Sequence, residues 1–347
     1  MSKKSLNFLI IRRDNIGDLL CVTPAIHALR KKHPNAKITF FSNSYNAPIL
    51  NNNPDIDNIE TYTKAKHRNT SQSFLSVSFH KVRLIIKLRK ENFDYIIIAS
   101  GVKKRDWNLA KWMNPACIIG YANDSIKLRK YDIGLNVYNE SQHEVERVFN
   151  LFSFFEVGLP IPSMQLFPNK IKKNQDIKGG SLIIGLHISA RKVKQRWPIE
   201  NFYNLIKHLN NKFSVNFLIF WSPGSDDNAC HPGDDNKAQQ LIELCQKFPV
   251  TPYPTRSLEE LSSGLQDCHY VFCSDGGGMH IAAALKKPVV CFFGNSNAEQ
   301  WYPWGVDYRL IQPSSKNVED ISVIEAVNAF ESLAASGIKL KNDVDAL

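Results

Sequence analysis

No two of the seven cysteines (Cys21, Cys117, Cys230, Cys245, Cys268, Cys273 and Cys291) stand at CxxC spacing. Their absence from any metal-ligand pattern argues against zinc. Several lie inside apolar, strand-like runs, so buried thiols in a reducing compartment are the simplest expectation. No apolar run approaches the ~20 residues that a transmembrane helix needs. The N-terminal stretch MSKKSLNFLIIRRDN is basic and then apolar, but Arg12-Arg13-Asp14 ends it before it is long enough for a signal-peptide core. Both absences point to a cytosolic protein. Neither the GxGxxG nor the Walker spacing occurs, and no recognisable nucleic-acid motif accompanies the positive charge.

That charge is +10 over 347 residues, with a pI near 9.1. It implies an anionic partner: a nucleic acid, a phosphate-rich small molecule or an anionic membrane surface. The length suggests two domains, and 43% apolar residues can fill two cores. The most informative stretch is Tyr270 to Gly294, YVFCSDGGGMHIAAALKKPVVCFFG. A buried strand (270–274) runs into the turn Asp275-Gly276-Gly277-Gly278, then a helix over 279–285 and a second strand over 288–293. Glycines there let backbone N–H groups approach a ligand at the positive end of a helix, which suits phosphate oxygens. A plain tight turn in a parallel sheet has the same glycines; Asp275 before the turn and His280 after it favour a binding site.

The first segment has the same plan. A strand at 8–11 and a loop at 12–17 lead to a helix from Asp18, with Leu19, Val22, Ile26 and Leu29 at helical spacing. Strands are expected at 36–41, near 56–62 and at 93–99, and helices at 71–90, 105–113 and 140–158, the last stopped by Gly158. His143 falls in its first turn. Lys64, Lys66 and Arg68 form a basic loop. After a proline- and lysine-rich stretch the alternation restarts with a strand at 181–186. The loop after it, HISARKVKQRWP, carries Arg191, Lys192, Lys194, Arg196 and, when protonated, His187. Ligands of open α/β sheets bind outside strand C-terminal ends, so this loop and the glycine turn are expected neighbours. A helix follows from Phe202 to Leu209, then a strand at 215–221, a polar surface insertion at 226–237 and a final amphipathic helix at 321–333. The aspartate pairs 226–227 and 234–235, and the DxD matches at 55–57 and 343–345, are read as solvated rather than as metal ligands.

Two similar Rossmann-like halves define an α/β chain of GT-B type, with parallel sheets facing an interdomain cleft. Residues 1–168 are expected to form an N-terminal Rossmann-like domain and 169–180 the linker. Residues 181–320 are expected to form a C-terminal Rossmann-like domain, and 321–347 a terminal helix and tail. Four blocks carry a resemblance: Arg12-Arg13-Asp14-Asn15-Ile16-Gly17-Asp18 with Thr23-Pro24-Ala25; His143-Glu144-Val145-Glu146-Arg147; Lys194-Gln195-Arg196-Trp197-Pro198; and Ser274-Asp275-Gly276-Gly277-Gly278-Met279-His280 with Ala282-Ala283-Ala284 and Lys287-Pro288. In this order, and over nearly the whole chain, they resemble glycosyltransferase family 9, the bacterial ADP-heptose:lipopolysaccharide heptosyltransferases.

The resemblance implies a metal-independent, inverting transfer of heptose from ADP-heptose, bound by the C-terminal domain, to a lipopolysaccharide core acceptor bound by the N-terminal domain, with no cofactor. It makes Asp18 the catalytic base, with Asp14 as rival, and carries donor binding to Asp275, Gly276, Gly277 and His280. Lys194, Arg196 and Asp226 are grouped with them. Lys64, Lys66, Arg68 and His143 are assigned to the anionic acceptor. Peripheral contact with the cytoplasmic face of the inner membrane is expected, and nucleic acid is not. Two positions depart from the family pattern: Gly276 replaces a small hydroxyl residue, and Gln195 a lysine whose phosphate contact Lys194, Arg191 or Arg196 would take over. Another nucleotide sugar or acceptor is the nearest alternative. A non-catalytic nucleotide- or nucleic-acid-binding protein is the more distant one.

Overall fold

A computed structural model describes residues 5–63, 74–136, 141–169, 171, 182–225 and 233–335, with 74–81 as backbone alone. Lys64, Lys66, Arg68, Asp226, nearly all of the expected linker and the residues after 335 lie outside this set. The chain divides into two compact units, Met1–Phe167 and Pro168–Leu347.

In the first unit the order is β1 (Asn7–Ile11), α1 (Ile16–Leu20), α2 (Thr23–Lys32), β2 (Lys37–Asn43), β3 (Asn58–Tyr62), α3 (Phe74–Lys90), β4 (Tyr95–Ile98), α4 (Lys104–Met113), β5 (Cys117–Tyr121), β6 (Ile133–Leu135) and α5 (Glu144–Asn150). All six strands pair in parallel, in the order β3-β2-β1-β4-β5-β6. Strand sequences such as FLII, YIII and CIIGY are apolar without alternation because helices cover both faces of the sheet.

The second unit repeats this wiring with β7 (Leu182–His187), α6 (Ile199–Lys212), β8 (Val215–Trp221), α7 (Asp235–Leu244), β9 (Val250–Pro254), α8 (Leu258–Gln266), β10 (Tyr270–Ser274), α9 (Gly277–Ala284), β11 (Val289–Phe292), α10 (Ala298–Trp301), β12 (Tyr308–Ile311) and α11 (Val323–Ala334). Its parallel order is β12-β11-β10-β7-β8-β9. Counted within each unit, both sheets read 3-2-1-4-5-6, the doubly wound order. α11 closes the second core: Phe330 packs on Phe213, Tyr270 and Phe272. Ser322 and Glu325 cap its start reciprocally.

Three expected elements are corrected. The helix from Asp18 is two helices, α1 and α2, because Pro24 has no N–H for the carbonyl of Leu20 and its ring would crowd it. The hydroxyl of Thr23 donates to that carbonyl instead, at 2.7 Å. The helix expected over 140–158 is only α5 plus a 3-10 turn at Ser153–Phe155, and Glu156, at φ 54°, ends it rather than Gly158. Residues 235–237, expected in a polar insertion, open α7, where Asp235 accepts from the Trp221 indole N–H and the Gly224 N–H. The strands β5, β6, β9 and β12 and the helices α8 and α10 were not anticipated. The DxD match at 55–57 is structural: Asp55 pairs with His27 and Asp57 with Arg30.

Candidate active site

In each doubly wound sheet the strand order reverses between the first and fourth strands, and the loops leaving those two strands flank the crevice where ligands bind. In the first unit these are the loops after β1 and β4. Arg12, buried just past β1, donates to the carbonyl of Ala99 beyond β4 and to Asp18, and to Glu144 of α5 at 2.7 Å. Its Nε lies 3.2 Å from Asp14. Burial works against the Arg12 charge, but Asp18, Glu144 and Asp14 outweigh it and raise its pKa well above the ordinary value. The guanidinium is therefore a fixed cation around which three carboxylates are arranged. Arg147, one turn along α5, makes a second contact to Glu144 at 2.9 Å.

Asp18 occupies the third position of α1, where its Oδ2 accepts from the Asn15 N–H at 2.9 Å in a reciprocal cap. Asp14 is held by Lys103 and Arg12. The side chain of Asp18 is 10% exposed and that of Asp14 26%, so the rival carboxylate is the more open of the two. Arg13 turns the other way, onto Asp106 of α4.

His143 is not on the surface. It is buried as the cap of α5, where its Nδ1 accepts from the Val145 N–H at 3.1 Å and Glu146 reaches back to its own N–H. The cap engages its Nδ1 and its backbone N–H.

In the second unit the loops after β7 and β10 are joined, and the pairing of those strands brings them together. Gln195, buried in a 3-10 turn at Val193–Gln195, donates its amide to Asp275 Oδ2 at 2.8 Å and to Ser296 Oγ at 3.1 Å. Arg191, Lys192 and Lys194 are exposed around it, while Arg196 donates its Nε to the carbonyl of Ala190. The loop's end is anchored by Trp197, whose ring packs on Phe202 and Phe292 and whose indole N–H meets the carbonyl of Ile321 at 2.8 Å.

Gly276 precedes α9 with φ 155°, a conformation that side chains disfavour, and nothing stands within 4 Å of where its Cβ would be. The positive end of α9 is thus open at that point. Gly278 is different: a Cβ there would come within 3.1 Å of the His187 ring. Burial first, and then Lys237, push His187 down to about 4, so it is neutral near pH 7 and drops out of the expected cation set. His280 is buried on α9 with its ring edge-on to Trp301.

Sequence reasoning missed three participants. Glu144 lies in the His143–Arg147 block, where nothing local signals its bond to Arg12. Gln195 was read as a lost contact, whereas it ties two loops together. Lys237 was hidden in a polar stretch, and the one signal for it is a place beside the buried Ala238 and Leu241 face of α7. Among the described residues no cluster of His, Cys, Asp and Glu could hold a metal ion, and no helix is long and apolar enough to cross a membrane.

Two doubly wound units with their loop clusters at the switch points define a GT-B-type protein. The family model for glycosyltransferase family 9 (heptosyltransferase) matches residues 81–325. A lipopolysaccharide heptosyltransferase 3 of Escherichia coli is 24% identical over 302 residues, 83% of this chain and 82% of that protein. A family 9 glycosyltransferase from Veillonella parvula superposes with a TM-score of 0.80 at 18% identity, over 97% of this chain and 99% of that one. The E. coli heptosyltransferase WaaC with ADP gives 0.74, also at 18% identity, over 95% and 100%. The chain belongs to glycosyltransferase family 9.

Proposed function

We propose that this enzyme is a metal-independent, inverting glycosyltransferase that moves a heptose from ADP-heptose to a lipopolysaccharide core acceptor. The observation that carries the reading is the switch point of the second unit. There an open helix N-terminus at Gly276 stands with exposed Arg191, Lys192 and Lys194 on the loop that Gln195 fastens to Asp275. Backbone dipoles and fixed cations of this kind can take up the charge of a leaving diphosphate without a metal. The relatives named as heptosyltransferases, and the related structure with ADP, support the choice of donor.

In the reaction, Asp18 accepts the proton of an acceptor hydroxyl as that oxygen attacks the anomeric carbon. The bond from this carbon to the diphosphate breaks, its electron pair leaves with ADP, and the configuration inverts. A carboxylate offers about four lone-pair sites, so orientation by Arg12 and Asn15 is compatible with taking a proton. Donor binding falls to Asp275, Gly276, Gly277, His280, Lys194, Arg196 and Asp226, and acceptor binding to Lys64, Lys66, Arg68 and His143.

Contact with an anionic membrane surface has support on the first unit. Trp112 and Tyr131 are each 68% exposed, with Val82, Ile86 and Leu128 also at the surface. Arg89 reaches the carbonyl of Trp112, and Lys111 that of Lys127, which joins α3, α4 and the 127–131 loop into one face carrying both aromatic and cationic side chains. Aromatic rings among lysines and arginines suit a bilayer interface.

The test is turnover of purified protein with a panel of nucleotide sugars and truncated core acceptors. Release of ADP from ADP-heptose, dependent on acceptor, is expected. Turnover with a different donor only would overturn the donor assignment, and nucleotide binding without release from any donor would overturn catalysis itself.

A further inference from the structure

Lys237, in the first turn of α7, lies in none of the blocks that carry the family resemblance. Its Nζ donates to the carbonyl of Ile188 at 3.0 Å and to that of Trp197 at 3.1 Å. These carbonyls are the two ends of the segment between β7 and α6. One ammonium group therefore clamps the base of a loop whose crown is Arg191, Lys192, Lys194 and Gln195. The same Nζ stands 5.5 Å from the centroid of the Phe202 ring on α6. The charged and titratable groups that face it are Asp234 at the head of its own helix, Arg196 on the loop and the neutral His187 at the end of β7.

We propose that Lys237 is a positioning residue for the donor: its charged ammonium holds the 188–197 loop in the shape that receives a nucleotide diphosphate. The proposal rests on the reading of this switch point as a nucleotide-sugar site. Hydrogen bonds from an ammonium are roughly twice as strong as those from a neutral amine, so the clamp depends on the charge. Burial pushes Lys237 down to about 8, with Asp234 acting to raise it and Arg196 to lower it. The clamp then loosens as pH rises through that value. Linkage is reciprocal: if protonation of Lys237 favours the diphosphate, bound diphosphate favours protonation, and binding near this pH takes up protons.

Stability responds with the opposite sign. Lys237 has a native pKa below its ordinary 10.5, so the native state holds the proton less firmly than the unfolded one. Burying the charge opposes folding while both states are protonated, and this penalty is relieved as pH rises between the two values. Relative to Lys237→Arg, the wild type gains stability over the same range in which it loses affinity. A residue with a purely structural role would not separate the two.

The experiment is calorimetric titration of the full chain with ADP across this pH range, in two buffers of different ionisation enthalpy. Wild-type affinity is expected to fall as pH rises through about 8, with proton uptake on binding. Lys237→Met should bind ADP about tenfold or more weakly at neutral pH, without the pH step, if two charge-assisted bonds are lost. Lys237→Arg should keep most of the affinity and also lose the step. In turnover assays Lys237→Met should raise the donor KM more than it lowers kcat. A folded Lys237→Met that binds ADP like the wild type, with the same pH profile, overturns the proposal. Should that variant not fold, a wild-type profile that lacks both the step and the proton uptake overturns it equally. The other failure looks different: no binding of ADP by the wild type at all removes the donor reading itself.

Discussion

A single guanidinium, that of Arg12, contacts Asp14, Asp18 and Glu144. Replacing it with methionine would leave these carboxylates without their shared cation, and loss of one partner of a buried charge network costs ~3–5 kcal/mol. Thermal unfolding of Arg12→Met should show a loss of that order. For Asp18→Asn the expected loss is in rate, a factor of ~10²–10⁴ in kcat with donor affinity nearly unchanged. Asp14→Asn is the matched control, and steady-state kinetics in which Asp14→Asn fell while Asp18→Asn held would move the base to Asp14. Asp18 was singled out by its place in the Ile-Gly-Asp block of the family resemblance, just inside α1. Its partners were not. Glu144 lies 132 residues from Arg12, and no local pattern in the sequence couples them.

At the scale of elements, apolar strand runs followed by turns exposed most of both sheets, and the glycine turn before α9 was readable as a helix start. What escaped was decided by contact rather than pattern. The break between α1 and α2 comes from one missing N–H. The short β6 is held by its pairing with β5. Gln195 and Asp275 are 80 residues apart and meet because β7 pairs with β10. Gln195→Ala removes both bonds of that amide, and the donor KM should rise by roughly tenfold. The phosphate contact of the loop is a separate matter. Arg196 already spends its Nε on the carbonyl of Ala190, which leaves Lys194 and Arg191 as the stronger candidates. Alanine at the residue that meets the leaving diphosphate should lower kcat more than it raises KM, because such a contact strengthens as charge builds on the leaving oxygen. If all three single variants changed only KM, and added salt mimicked them, the loop would merely attract the donor at long range.

Across the whole molecule the formal charge of +10 sets how it meets anions. Binding to vesicles rich in anionic lipid should weaken as salt shortens the Debye length, which is ~8 Å at physiological ionic strength. Joint replacement of Trp112 and Tyr131 by alanine should weaken it further at any salt concentration. Co-sedimentation measures both, and equal binding to neutral vesicles would argue against the charge-based contact. Activity should survive EDTA unchanged. Loss that Mg²⁺ or Mn²⁺ restores would mean that the cationic loop and α9 do not suffice.

The shared strand order has a consequence for synthesis on the ribosome. The first strand of each half to leave the exit tunnel becomes a central strand, and it waits for the fourth: β1 meets β4 with Phe8 opposite Tyr95, long after β2 has emerged. Until then half of its backbone hydrogen bonds have only water to pair with. Arg12 waits longer still, for Glu144. Nascent chains arrested before that residue clears the tunnel should therefore remain open to protease, and resistance should rise sharply once α5 has emerged.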